Sequence, residues 1–378
     1  MHILSHVTFG HCPKVTGSKA INIFERHSNM QTRVARLHGM RDLRVETLDY
    51  AEPGPGEVML SMAAGGICGS DLHYYQDGGF GPVRVREPII SGHEASGFVA
   101  ALGAGVSGLA IGQLVAVNPS QPCGHCHYCR LGQPIHCLEM RFMGSAMRLP
   151  HENGMFRDRL VVPAIQCHAS GPDTTPGEAA CAEPLAVCLH AVAQAGDLSG
   201  KTVLVTGAGP IGLLTVAAAR HAGAAEIVVT DLTDAALSRA PAMGASKTVN
   251  VATNPEGLAP WQENKGVFDV VFDCSAAGPA LRSAFAAVKP RGLIVQVGVT
   301  GDVTIPLNAL VGKEITWRGS QRFHTEFADA VRLISARAID VRPIISHTFP
   351  LEQAVEAFEQ AGDRAVACKV QITFDSTR

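Results

Sequence analysis

The sequence predicts an α/β protein in which a small barrel-like, mostly antiparallel domain is interrupted by a doubly wound parallel-sheet domain. Three observations predict it. Residues 32–180 read as short strands separated by Gly and Pro, and from Lys201 onward apolar strands alternate with helical patterns. The chain then ends on one more strand pattern, 368–374, which returns to the first domain. A chain of 378 residues has room for two cores. Its 46% hydrophobic and 17% charged content favours a sheet covered on both faces.

In order, strand-like alternation begins after Met30 and continues through short strands at 57–62, 97–102 and 113–117. Glu183-Pro184, an acid followed by proline, marks the start of a helix running to Ala195. Strand 202–206, helix 211–222 and strand 226–230 follow, with buried strands at 267–275 and 293–299. A helical stretch after about Gln321 precedes the final strand. The predicted division is therefore a first domain of 30–182 and 322–378, with a second domain of 183–321 inserted in it.

Net charge is −3 with both signs interspersed and no Lys/Arg run, which argues against a nucleic-acid partner. No apolar stretch is long enough to span a membrane. Residues 1–29 carry Lys14, Lys19 and Arg26 against Glu25, without the apolar core of a secretory signal. They read as a disordered extension or the product of an upstream start, with Met30 opening the fold. Eleven cysteines, an odd number with four of them clustered, fit metal ligation in a reducing cytoplasm better than a disulfide framework.

An apolar strand leads into Gly207-Ala208-Gly209-Pro210-Ile211-Gly212 and then into an apolar helix. Such a glycine triplet alone is a weak signal, but a strand before it, a helix after it and Asp231 closing the next strand make a dinucleotide site. The helix start would meet the pyrophosphate with free N–H groups. Asp231 would accept hydrogen bonds from both adenosine ribose hydroxyls and repel a 2′-phosphate. NAD is therefore expected in preference to NADP, unless Arg220 or Arg239 approaches. Val297 and Val299 complete the expected cofactor contacts.

Cys123, Cys126, Cys129 and Cys137 follow Cys-x2-Cys-x2-Cys-x7-Cys in a polar loop with Gly124, His125, His127 and Arg130. Four thiolates can close a tetrahedral Zn²⁺ site. Closely spaced cysteines also hold iron–sulfur clusters, though consecutive ligands in such a loop fit a zinc staple better.

Further potential ligands stand in Gly66-Ile67-Cys68-Gly69-Ser70-Asp71-Leu72-His73 and in Gly92-His93-Glu94. A thiol, a histidine and an acid each have an ordinary structural reading taken singly. Beside a dinucleotide site they suggest an open zinc site, which lowers the pKa of a bound hydroxyl toward ~7. Ser70 and His73 could then carry the released proton outward.

With these motifs the chain after Met30 resembles the zinc-containing medium-chain dehydrogenases. The resemblance implies a GroES-like catalytic domain with an inserted Rossmann domain, two zinc ions and oxidation of a secondary hydroxyl. It implies Cys68 and His93 as catalytic zinc ligands, with Glu94, a ligand in the polyol dehydrogenases, and Glu183 of Glu-Pro-Leu as alternatives for the carboxylate. Tyr74 matches a substrate-facing tyrosine of the polyol branch, and Arg322 occupies the position of a substrate-facing arginine. Segments 66–75, 118–129, 140–147, 182–187 and 312–323 are most similar to members that oxidise sugar acids, so a polyol or aldonate substrate is expected. Its carboxylate would need a cation, in the order Arg322, Arg141, Arg148. The resemblance also implies a homodimer or homotetramer. Sorbitol-, xylitol- or threonine-type dehydrogenases are the nearest alternatives, and a non-enzymatic zinc-binding module is the alternative of another class.

Overall fold

A computed structural model describes residues 30–375; the extension expected at 1–29 lies outside the described residues. The chain enters through Met30–Gly39, which pairs antiparallel with Asp42–Tyr50. It then builds a seven-stranded sheet in the order Cys167–Ala169, Leu114–Val117, Glu94–Leu102, Glu57–Gly66, Lys369–Thr373, Ile345–Pro350, with Arg159–Pro163 also on Glu57–Gly66. Val58, Leu60 and Met62 alternate into its core, as a half-covered strand requires.

The inserted sheet has six parallel strands in the order Lys247–Asn250, Glu226–Asp231, Thr202–Thr206, Phe268–Asp273, Val288–Gln296, Thr316–Gly319. Its central strands are buried on both faces, so they read as continuous apolar runs. Strand order reverses at Thr202–Thr206, whose sequence-adjacent neighbour lies on one side and Phe268–Asp273 on the other. The crevice past its carboxyl end is the switch point where such sheets bind ligands.

Two helices join the halves. Ala182–Ala195 and Glu326–Ser335 pack against each other, and the first also packs on Pro210–His221. The returning strand Lys369–Thr373 pairs antiparallel with Glu57–Gly66, so residues from the chain's end lie beside the Cys68 segment. No helix among the described residues is long and apolar enough to cross a membrane.

Candidate active site

Cys68 stands at the N-cap of helix Gly69–Asp77, and its backbone N–H donates to Asp71 Oδ2 at 3.0 Å. That cap fixes the turn presenting the thiol. His93 and Glu94 come from the start of the neighbouring strand Glu94–Leu102, both buried. One ligand atom from each of Cys68, His93 and Glu94 lies within 4.8 Å of the others.

The surroundings of this trio fit a divalent cation. Burial opposes charge on His93, yet Asp71, Cys68 and Glu183 outweigh it and hold the imidazole pKa well above its ordinary value. A site that stabilises an imidazolium against desolvation also favours a metal ion. Thiolate, imidazole and carboxylate are the donors zinc takes. Lys369 Nζ lies 2.7 Å from each Glu94 oxygen but bonds only Oε1, so Oε2 is buried without a hydrogen bond. Glu183 is buried near His93, Glu94 and Arg322, and burial above all pushes its pKa up to about 7. It lies outside the trio within 4.8 Å of one another.

Three residues at this site carried no assigned role in the sequence reading. Asp71 is fully buried, accepts from the Gly92 N–H at 3.2 Å and lies 3.8 Å from His93 Nδ1, close enough to favour a positive charge there. Lys369, 2% exposed, also donates to the Ile67 carbonyl at 3.1 Å. Phe142 packs on the His93 ring with centroids 5.5 Å apart. The Asp71 signal was present in the Cys-Gly-Ser-Asp spacing, where an acid three residues after an N-cap closes a cap.

Of the expected substrate residues, Arg322 lies against Phe142. The Arg322 guanidinium lies 4.1 Å from the Phe142 centroid, with Nη2 3.2 Å from Met147 Sδ and no ion pair among the described residues. Burial lowers its pKa, against the pull of Glu183 and Tyr74. Tyr74 is buried, its hydroxyl accepting from the Ala146 N–H at 3.3 Å. Arg141 is turned elsewhere: it is exposed and ion-paired with Glu152. Arg148 donates to the carbonyls of Leu138 and Met140 in the cysteine loop. His73 is 42% exposed, with Nδ1 3.0 Å from Asp77 Oδ2 and its ring against Phe80. Ser70 is half-buried on the same first turn.

The four cysteines converge as well: Cys123, Cys126, Cys129 and Cys137 bring their sulfurs within 4.8 Å of one another. Backbone N–H groups of Cys123 and Glu139 donate to Cys137 Sγ at 3.2 and 3.3 Å, and that of Cys126 to Cys123 Sγ at 3.3 Å. The N–H groups of Cys129 and Leu138 pull the Cys126 thiol down to about 6, while burial and the neighbouring sulfurs push the Cys129 thiol up to about 12, as happens when thiols crowd together with no cation between them.

At the switch point, Gly207 has φ +91° and Gly212 packs so closely that a Cβ there would lie 1.8 Å from the Gly207 carbonyl oxygen. A Cβ on Gly209, the N-cap, would meet nothing within 4 Å, leaving the open approach a pyrophosphate needs. Pro210 and Ile211 open the helix behind it. Asp231 Oδ2 accepts from the Ala208 N–H at 2.7 Å and Oδ1 from Leu232 at 2.7 Å. Arg220 is committed to the Gly244, Ala224 and Ala225 carbonyls and to Ser246. Arg239 is bonded to the Ala235 and Val366 carbonyls. Val297 is buried next to Asp273, whereas the strand ends at Gln296 and Val299 stands 64% exposed.

Residues 54–173 match the alcohol dehydrogenase GroES-like domain, and residues 210–336 the zinc-binding dehydrogenase domain. The chain is 41% identical to Escherichia coli L-idonate 5-dehydrogenase (NAD(P)(+)) over 330 residues, 87% of this chain and 94% of that one. It is 35% identical to sorbitol dehydrogenase of Pongo abelii over 335 residues, 85% and 90% of the two chains. The crystal structure of L-idonate 5-dehydrogenase from E. coli superposes with a TM-score of 0.86 at 40% identity, covering 91% of this chain and 99% of that one. Family matches, relatives and geometry agree: the chain belongs to the zinc-dependent, NAD(P)-linked alcohol and polyol dehydrogenases.

Proposed function

We propose that this dehydrogenase oxidises the C5 hydroxyl of L-idonate to give 5-ketogluconate, with NAD as its preferred acceptor. The observation that carries the sugar-acid reading is Arg322, a half-buried guanidinium with no ion pair among the described residues, stacked on Phe142, which itself packs on His93. A carboxylate meeting it would gain a charge-assisted, two-point contact where an unpaired charge is costly.

In this reading Cys68, His93 and Glu94 hold the catalytic zinc, with Glu183 close enough to interact electrostatically, and Cys123, Cys126, Cys129 and Cys137 hold the structural one. When bound, zinc acidifies the substrate hydroxyl and the nicotinamide accepts the hydride. The chain's own groups do the rest. Asp71 favours positive charge at His93, and Gly209 leaves the pyrophosphate room. Tyr74 bounds the substrate pocket. Ser70 takes up the hydroxyl proton and hands it to His73, three residues on along the same helix, which is exposed enough to release it to water. Asp231 takes the adenosine ribose. The division at 183 and 321 belongs to the same reading, supported by the six strands of the all-parallel sheet, which fall between Thr202 and Gly319. So does a homodimer or homotetramer, for which the edge strand Thr316–Gly319 offers a pairing surface. A reducing compartment such as the cytoplasm suits the ten free thiols among the described residues.

A spectrophotometric screen of aldonates and neutral polyols with NAD and NADP tests the substrate. L-idonate should be oxidised, and Arg322→Ala should raise its KM about tenfold or more while a neutral polyol loses far less. Equal losses would make Arg322 a general hydroxyl contact. Absence of idonate activity would return the chain to the broader polyol group.

A further inference from the structure

Arg322 sits on a short turn in the left-handed region, with φ +49°, a conformation that a long side chain adopts only when its neighbours hold it there. On one side Phe323 is buried against Phe327, their centroids 5.5 Å apart. On the other stands Glu326, the first residue of helix Glu326–Ser335. Its Oε2 accepts from the His324 N–H at 2.7 Å, closing the turn, and its Oε1 lies 2.9 Å from His190 Nδ1. Gln194 Nε2, one helical turn on, is 3.3 Å from His190 Nε2. His190 lies seven residues after Glu183 on helix Ala182–Ala195, which is nearly two full turns, so the two share one helix face. One carboxylate thus fastens the Arg322 turn to the helix that carries Glu183.

We propose that Glu326 and His190 are positioning residues for Arg322: their hydrogen bond sets the turn that aims the guanidinium over Phe142 and so helps to select acid substrates over neutral polyols. Neither residue belongs to the Cys68–His93–Glu94 cluster, and the pair acts through Arg322. The inference rests on the reading that Arg322 meets the substrate carboxylate, and that dependence fixes the controls.

The experiment is steady-state kinetics on the purified, zinc-loaded enzyme with L-idonate and sorbitol, for wild type, Glu326→Ala, Arg322→Ala and the double variant. Glu326→Ala should raise the KM for L-idonate about tenfold, the usual cost of misplacing one charge-assisted contact, with kcat and the KM for NAD changed by no more than about twofold. The sorbitol KM should move little. The double variant should be no worse on L-idonate than Arg322→Ala alone, because the two losses are one loss. Glu326→Asp, which keeps the carboxylate, should recover part of the idonate preference. If Arg322→Ala shifts the idonate-to-sorbitol ratio and Glu326→Ala does not, or if their losses add, the positioning role is overturned while the reading of Arg322 stands. If Arg322→Ala leaves that ratio unchanged, both fall. Should Glu326→Ala not accumulate folded, His190→Gln breaks the pair from the other helix and the same ratio decides.

Discussion

Lys369 Nζ donates to Glu94 Oε1 at 2.7 Å across 275 residues of sequence, and both side chains are buried. Burial alone would lower the lysine's pKa; Glu94 and Cys68 outweigh it and raise it, so the ammonium is kept charged. Breaking such a pair from one side strands a charge in the interior. Lys369→Met should therefore destabilise the fold by about 3–5 kcal/mol in denaturant titrations. Lys369→Met combined with Glu94→Gln should recover a large part of that loss. No recovery in the double variant would mean that Lys369 acts through packing and its bond to Ile67, not through Glu94.

The two proposed zinc sites differ in ligand number, four cysteines against Cys68, His93 and Glu94, and that difference predicts two chelation phases. The closed four-cysteine site should resist, since structural zinc binding is worth roughly 10–16 kcal/mol in small peptides and is coupled to folding. The Cys68–His93–Glu94 site should lose metal first, activity falling while the circular dichroism spectrum persists. Cys68→Ser should reproduce that state, whereas Cys126→Ser should lower the thermal midpoint or the yield of assembled protein. A fully active enzyme carrying one zinc per chain would refute the two-site assignment.

In the proposed function Asp231 sets cofactor preference. Its oxygens already accept from Ala208 and Leu232, so the carboxylate is fixed at the crevice, and Arg220 is spent on backbone carbonyls where it cannot neutralise a phosphate. Asp231→Ser should lower kcat/KM with NAD and narrow the gap to NADP. Equal wild-type efficiency with the two cofactors would show that another cation, such as Arg239, overrides the acid.

The Glu326–His190 bond has a pH signature. Burial raises the Glu326 pKa, but the bonds from His190 and the His324 N–H bring it down to about 2 from an ordinary 4.5. A carboxylate whose pKa is lower folded than unfolded contributes stability that is present above 4.5 and is lost as pH falls toward 2. The stability difference between wild type and Glu326→Gln should therefore be largest near neutrality and shrink below about pH 4.5. A difference independent of pH in that window would assign the loss to packing.

The sequence by itself determined whatever depends on neighbours along the chain. The Cys-x2-Cys-x2-Cys-x7-Cys loop converges because its ligands lie on one short segment, and Gly207 to Gly212 shape one strand-to-helix turn. The element order was legible for the same reason: buried parallel strands must be continuously apolar, so the Thr202–Thr206 and Phe268–Asp273 strands announce themselves. Only the tertiary structure decided what crosses the chain. Lys369 reaches Glu94 because Lys369–Thr373 pairs antiparallel with Glu57–Gly66, a register that no local pattern specifies. The two arginines part in the same way. Arg141 and Arg322 offer the same guanidinium, but Glu152 engages the first, while the fold lays the second on Phe142 with no acid paired to it among the described residues. Charge and size are properties of a residue, whereas its partner is a property of the packing.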